Sequence, residues 1–311
     1  MNRPPLPPAI QRAFTLTELL IAMAVLTMLT VFVAQVVSSA TIVTTNSRKH
    51  MDADSQARLV FNRMAGDFGK MLRRSDVDYL FSKQAGNDKM FFYSEAPAYY
   101  DGGSSSFKPR SSVALVGYRI NADQQFERLG KLLSWGGSAA TQPGSVVFLT
   151  RPAPTVAVPN PAPLPATLLE NNWAATLGSA PDYDGMDDDY HVLAGEACRL
   201  EFCFLLKDGK YAFDPAGGTA TNIHSLDKVR AIVVTLVVLD AASQKIADMS
   251  KVCAAFADPT AADLAADPPV LMAERWRRQL LSGDFSQTTG IPQAAASQIR
   301  IYERHFSLYP Q

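Results

Sequence analysis

Residues Phe14 to Val37 read FTLTELLIAMAVLTMLTVFVAQVV, 24 positions with one charge, Glu18, and neither proline nor glycine. An apolar run of about 20 residues is what a helix needs to cross a bilayer, and no helix breaker interrupts this one. Ahead of it stands MNRPPLPPAIQRA, a proline-rich leader whose Arg3 and Arg12 favour retention on the cytoplasmic side. Glu18 breaks the pattern, because a carboxylate in hydrocarbon costs about 2.5 kcal/mol or more and needs a partner. A secretory signal accounts for the stretch poorly. Its apolar region is about 7–15 residues long and ends in a small-x-small cleavage site. This run is longer, Val36-Val37-Ser38-Ser39-Ala40 is only a fair match, and Glu18 would stay unexplained.

The helix is expected to continue beyond Val37. The composition turns polar at Ser38, yet no proline or glycine follows until Gly66. Val60, Met64, Phe68 and Met71/Leu72 recur at three- and four-residue spacing, an amphipathic stripe, with Arg58, Arg63, Asp67 and Arg73 mainly off it. One helix from about Phe14 to Arg74 follows: residues 14–37 as the membrane and assembly segment, 38–75 as an amphipathic continuation against a globular head. The alternative is two helices broken at the weakly helical Thr44-Thr45-Asn46-Ser47.

From Ser75 the texture is that of strands and turns, so the head, 76–311, reads as β-rich and the fold class as α+β. Met90–Ser94, Ser112–Ile120, Gln125–Ser134 and Ser145–Thr150 are strand candidates, with glycine- and serine-rich loops between them. Six prolines between Arg151 and Pro165 make that stretch an extended linker between two β regions. Ala197–Leu206, Lys210–Phe213 and Val229–Leu239 follow, the last apolar on both faces and therefore central; Asp208-Gly209 marks a hairpin. Thr260–Ala266 and Pro269–Ser282 read as a helical insertion, with Leu271, Trp276, Leu280 and Leu281 on one face and Arg275, Arg277 and Arg278 in solvent. Ile299–Leu308 alternates as an edge or terminal strand.

Composition narrows the function. Of 311 residues 47% are hydrophobic, enough for a packed core beyond the membrane segment. The formal charge is −1, and without Arg3 and Arg12 the 27 remaining basic residues face 30 acidic ones, so no basic face for nucleic acid is indicated. Three cysteines are too few for a disulfide framework. Cys198 and Cys203, five apart on one strand, should face opposite sides; a bridge from Cys253 to either, or three buried thiols, both stay open. No Gly-x-Ser-x-Gly elbow, HExxH or P-loop is present, and His50, His191, His224 and His305 lack metal-ligand spacing, so no enzyme is expected. Trp135, Trp173 and Trp276 read as packing residues, with a glycan-binding surface as the alternative.

Ala13-Phe14-Thr15-Leu16-Thr17-Glu18 followed by the apolar run resembles the type III signal of the type IV prepilin and pseudopilin superfamily. The resemblance implies cleavage between Ala13 and Phe14 by a prepilin peptidase, N-methylation of Phe14, and pairing of Glu18 with the N-terminal amine of a neighbouring subunit. Glycine is usual where Ala13 stands. The order of elements, Leu193-Ala194-Gly195-Glu196 leading into LEFCFLL, the Asp-Gly hairpin and Lys228-Val229-Arg230-Ala231 opening a long strand are similar to the J-type minor pseudopilin of type II secretion and the W-type minor pilin. The Tyr-His-Val-Leu-Ala segment is similar to the verrucomicrobial prepilin-type "cassette protein C" group. These likenesses imply a structural subunit of a type II secretion or type IV pilus-like filament, at its tip or in initiation. Its partners would be other minor and major pilins, the peptidase, the inner membrane and a secreted substrate. A tip-located adhesin or substrate-binding module on the same helix is the second reading, its contacts made by loops 97–112, 135–144 and 151–190.

One stretch suggests a metal. Asp182, Asp184, Asp187, Asp188 and Asp189 surround Gly185, a spacing that suits Ca²⁺ with its 6–8 oxygen ligands. Ala194 stands where an EF-hand needs glutamate, so that motif is incomplete, and a solvated acidic loop is the alternative. No other cofactor is expected.

Overall fold

The computed structural model describes residues 15–73, 79–83, 86–96, 98–99, 110–111, 113–121, 123–132, 190–215 and 226–308. The expected strand at 145–150, the proline-rich linker, the aspartate loop 182–189, Trp135, Trp173 and His224 lie outside them, as do Ala13 and Phe14. The chain divides into two units, Met1–His50 and Met51–Gln311. Helix α1 spans Leu16–Gly69 and is unbroken through Thr44 to Ser47. It therefore starts two residues later and stops five residues earlier than the spacing predicted, ending at the glycine pair Gly66 and Gly69.

In the second unit α1 buries Ala53, Ala57, Val60, Phe61, Met64, Phe68 and, just past its end, Met71. This is the 3.6-residue stripe anticipated from spacing, extended two turns further back. Asp67 departs from expectation. It belongs to the buried face, only 2% exposed, because it has partners there.

Two antiparallel sheets receive that stripe. Strands β1 (Leu80–Ser82), β2 (Lys89–Ser94), β5 (Ala114–Ile120), β6 (Phe126–Leu132) and β7 (Tyr190–Ala194) form one, in the order β1-β2-β5-β6-β7. A separate two-stranded pair, β3 (Ala98–Tyr99) and β4 (Arg110–Ser111), precedes β5. Met90, Phe92, Val116, Tyr118 and Phe126 point to α1, and Phe68 stacks on Phe92 with ring centroids 5.1 Å apart. On the opposite face Phe91 lies across from Gly117, where a Cβ would meet its ring at 2.2 Å. Both residues sit in strand interiors with no room to slide, so Gly117→Ala should lower stability by about 1–3 kcal/mol through overpacking. The denaturant midpoint checks this, and an unchanged midpoint contradicts it.

The second sheet has the order β11-β10-β8-β9, built from β8 (Ala197–Leu206), β9 (Tyr211–Ala212), β10 (Val229–Val238) and β11 (Arg300–Ser307). The Asp-Gly turn closes β8 to β9, with Gly209 at φ +86°, a conformation glycine adopts without penalty. VRAIVVTLVV in β10 is apolar on both faces, which requires cover on both. One face, with Ile232, Val234 and Leu236, joins the α1 core. The other, with Val233 and Val237, is covered by the helices between β10 and β11. These are α2 (Ala241–Gln244), α3 (Met249–Ala255), α4 (Ala261–Ala265), α5 (Met272–Leu280), α6 (Phe285–Thr289) and α7 (Gln293–Ala296). The insertion is thus a third layer.

Local signals start the first three of these helices. Asp240 accepts from Ala242 and Ser243 backbone N–H, Asp248 from Ser250, and Thr260 forms a reciprocal capping box with Asp263. Trp276 is fully buried against Phe256, its indole N–H donating to the Ala257 carbonyl at 2.8 Å. Leu281 does not share its face: it caps the end of α5 and is 83% exposed, while Met272 and Ala273 fill the core instead. Arg275 is also less free than expected, since it pairs with Asp263 at 2.5 Å.

The cysteines correct a further expectation. Val238 pairs with Ala197 and Val237 with Arg199, which leaves Cys198 as an extra residue in β8. This β-bulge resets the alternation, so Cys198 and Cys203 both face the helical layer rather than opposite sides.

Candidate assembly site

The first unit presents its apolar side chains outward. Leu16, Leu20, Ile21, Met28, Phe32 and Val37 are each more than half exposed, and large apolar residues occupy the whole circumference. A helix apolar all round needs a nonaqueous surrounding, and α1 is long and apolar enough to cross a membrane. Its hydroxyls fit that setting. Thr27 and Thr30 donate to the carbonyls of Ala24 and Thr27 at 2.8 Å, and Thr41, Thr44 and Thr45 donate to carbonyls four residues back. Each of these five hydroxyls is satisfied inside the helix, as hydrocarbon demands.

Glu18 has a local partner that the sequence reading passed over. Thr15 precedes α1, and its backbone N–H and hydroxyl both donate to Glu18 Oε2, at 2.9 and 2.8 Å. The Glu18 N–H approaches Thr15 Oγ1 at 3.3 Å in return. This is the Ser/Thr-x-x-Glu capping box, in which two of the helix's unpaired donors are satisfied. The signal was present in Thr15-Leu16-Thr17-Glu18. Both donated bonds reach Oε2, and among the described residues none is seen at Oε1.

The head offers polar clusters but no open chemistry among the described residues. Lys83 lies 3.1 Å from both Asp88 and Asp258 and in direct contact with Glu201, while Arg199 reaches Glu201 at 2.9 Å and Asp258 at 3.2 Å. Burial works against the Lys83 charge, yet Asp88, Glu201 and Asp258 together hold its pKa above the ordinary value. Burial and the adjacent Asp88 push the Glu201 carboxyl up to about 10. Three carboxyls thus face two cations. Lysine and arginine already occupy the place a metal would take, and no group of three His, Cys, Asp or Glu among the described residues could hold an ion. The cluster ties the β1–β2 hairpin to β8 and the insertion. His191 lies on β7, and His305 on β11 stacks edge-on against Tyr211.

Comparison with known proteins returns a family model and solved structures. Residues 9–34 match the family model described as the prokaryotic N-terminal methylation motif, a span that includes Ala13, Phe14 and Glu18. A solved type IV-like pilin from Thermus thermophilus is similar at 10% identity and a TM-score of 0.34, over 83% of this chain and 94% of that one. No curated protein matches. The chain thus joins an N-terminal methylation motif and an apolar helix to an antiparallel β-rich head.

Proposed function

We propose that this chain is a minor pilin or pseudopilin subunit of a type II secretion or type IV pilus-like filament. It is cleaved between Ala13 and Phe14, methylated on Phe14, and anchored in the inner membrane through residues 14–37 with its head outside the cytoplasm. The observation that carries this reading is the methylation motif running directly into a helix whose apolar side chains are exposed all round. Such a helix is stable in a bilayer or among like helices, and exchange between those two surroundings is what filament assembly requires. The role is mechanical. A head this large, with an added helical layer, suits a tip or initiation position where it need not repeat along a shaft.

The mass of the mature N-terminus tests the proposal. Protein purified from membranes should begin at Phe14 and carry one methyl group on its amine, and loss of the prepilin peptidase should restore the chain to Met1. A chain starting at Met1 in peptidase-proficient cells, or cut after Ala40, overturns it.

A further inference from the structure

Cys253 sits on α3, which packs directly against β8. Its thiol donates to the Cys198 carbonyl oxygen at 2.8 Å and reaches Gln124 Oε1 at 3.0 Å, the Cys198 thiol reaches the Val237 carbonyl at 3.6 Å, and both sulfurs belong to the same buried face of β8 and α3. The bulge in β8 creates this encounter. Without the extra residue, Cys198 would point to the α1 core, away from α3. Cys203 is not an alternative partner. Five residues further along the strand it is displaced by about 16 Å, and its thiol points to the Ala212 carbonyl at 3.4 Å. Disulfides need Cα atoms about 4.4–6.8 Å apart, so a cysteine seated on Cys198 cannot serve Cys203.

The two thiols also differ in the way exchange chemistry uses. Cys253 is only half-buried, and the adjacent Cys198 thiol, aided by the Arg199 guanidinium, lowers its pKa below the ordinary value. Cys198 is fully buried, and the neighbouring Cys253 thiol together with burial raises its pKa. The accessible sulfur is therefore the better thiolate, and the inaccessible one is the resolving partner.

We propose that Cys198 and Cys253 form a disulfide that fastens the helical layer to β8, while Cys203 stays a buried thiol. The oxidant is a protein or small-molecule disulfide. Cys253 thiolate attacks one of its sulfurs, forming a mixed disulfide and releasing one thiolate. Cys198, giving up its proton, then attacks Cys253 Sγ and releases the second. Two protein thiols and one external disulfide become one protein disulfide and two external thiols. Formation in the cell rests on the extracytoplasmic placement of the head proposed above, since cytosolic thiols are kept reduced.

The test uses the full chain in detergent. Thiols are alkylated at lysis, before any reduction, and peptides are mapped by mass spectrometry. A second sample is fully reduced, refolded by removal of the reductant, and exposed to oxidised glutathione before alkylation. Expected in both is a Cys198 peptide joined to a Cys253 peptide, two hydrogens lighter than their sum, with Cys203 alkylated. The oxidised sample should also unfold at a higher denaturant concentration than the reduced one. A Cys198–Cys253 link in the glutathione sample but three alkylated cysteines from cells upholds the pair and contradicts the extracytoplasmic head. Three alkylated cysteines in both samples, a link through Cys203, or a link between chains overturns the proposal.

Discussion

Asp67→Ala is expected to lower the stability of the head by about 3–5 kcal/mol, the cost of removing one partner from a buried ion pair. Asp67 stands on the buried face of α1 and accepts from Arg128 Nε at 2.7 Å and from a second guanidinium nitrogen at 3.0 Å. The Tyr118 hydroxyl donates to the same carboxylate at 2.5 Å, and the Asp67 carbonyl takes the Ser94 hydroxyl. Alanine would leave the Arg128 guanidinium in the core without its anion. Burial opposes the Arg128 charge, and the bonds and charge of Asp67 more than offset it, holding its pKa above the ordinary value. Asp67→Asn keeps an acceptor and loses the charge, so it should fall between. The double change Asp67→Leu with Arg128→Met removes both charges and should recover most of the loss. Urea unfolding followed by intrinsic fluorescence reads all three. A single variant within about 1 kcal/mol of the parent would show that the pair contributes little.

The same network sets a limit at high pH. Burial and the neighbouring Asp67 raise the Tyr118 phenol well above 10. The folded chain thus retains this proton where the unfolded chain releases it. Stability from this group is complete below about pH 10 and is lost as pH rises beyond it.

These features also show where the sequence was legible. The stripe Val60, Met64, Phe68 and Met71, the doubly apolar β10 and the Asp-Gly hairpin follow from neighbours three or four apart, opposite on a strand, or adjacent in a turn. Each is local chemistry. Spacing sets Asp67 off the stripe because its partners, Tyr118 and Arg128, lie 51 and 61 residues away, and no periodicity connects them. The bulge at Cys198 escaped for a related reason. Strict alternation across ACRLEFCFLL assumes an unbroken ladder, and the extra residue is defined by β10, not by β8 itself. The short β7 pairs with β6 across more than fifty intervening residues, beyond any turn signal. The helices α2, α3, α6 and α7 are too brief for a helical period to register, although Asp240 and Asp248 were cap signals in plain view. The Thr15–Glu18 cap was equally local. A charge in an apolar run points first to a distant partner, which hides the local one.

That cap makes the test of Glu18 sharper, because different substitutions separate the observed cap from the proposed pairing. Glu18→Ala removes the capping box and the charge together. Glu18→Gln keeps the cap, since glutamine also serves at the third helical position, and removes only the charge. Thr15→Ala removes the hydroxyl of the cap and keeps the charge; losing such a cap costs about 1 kcal/mol. All three should insert into the membrane, because the apolar circumference from Leu16 to Val37 is untouched. Assembly should divide them. A desolvated charge pair deprived of one member loses about 2–5 kcal/mol. At 1.4 kcal/mol per decade, this is a loss of roughly 30- to 3,000-fold in subunit association. Glu18→Ala and Glu18→Gln should therefore both be depleted from sheared filaments, or from co-purified neighbouring subunits, at normal membrane levels. Thr15→Ala should assemble nearly as well as the parent. If Glu18→Gln assembles normally while Glu18→Ala and Thr15→Ala do not, the carboxylate acts only as a helix cap, and the pairing with a neighbour's methylated Phe14 amine is wrong.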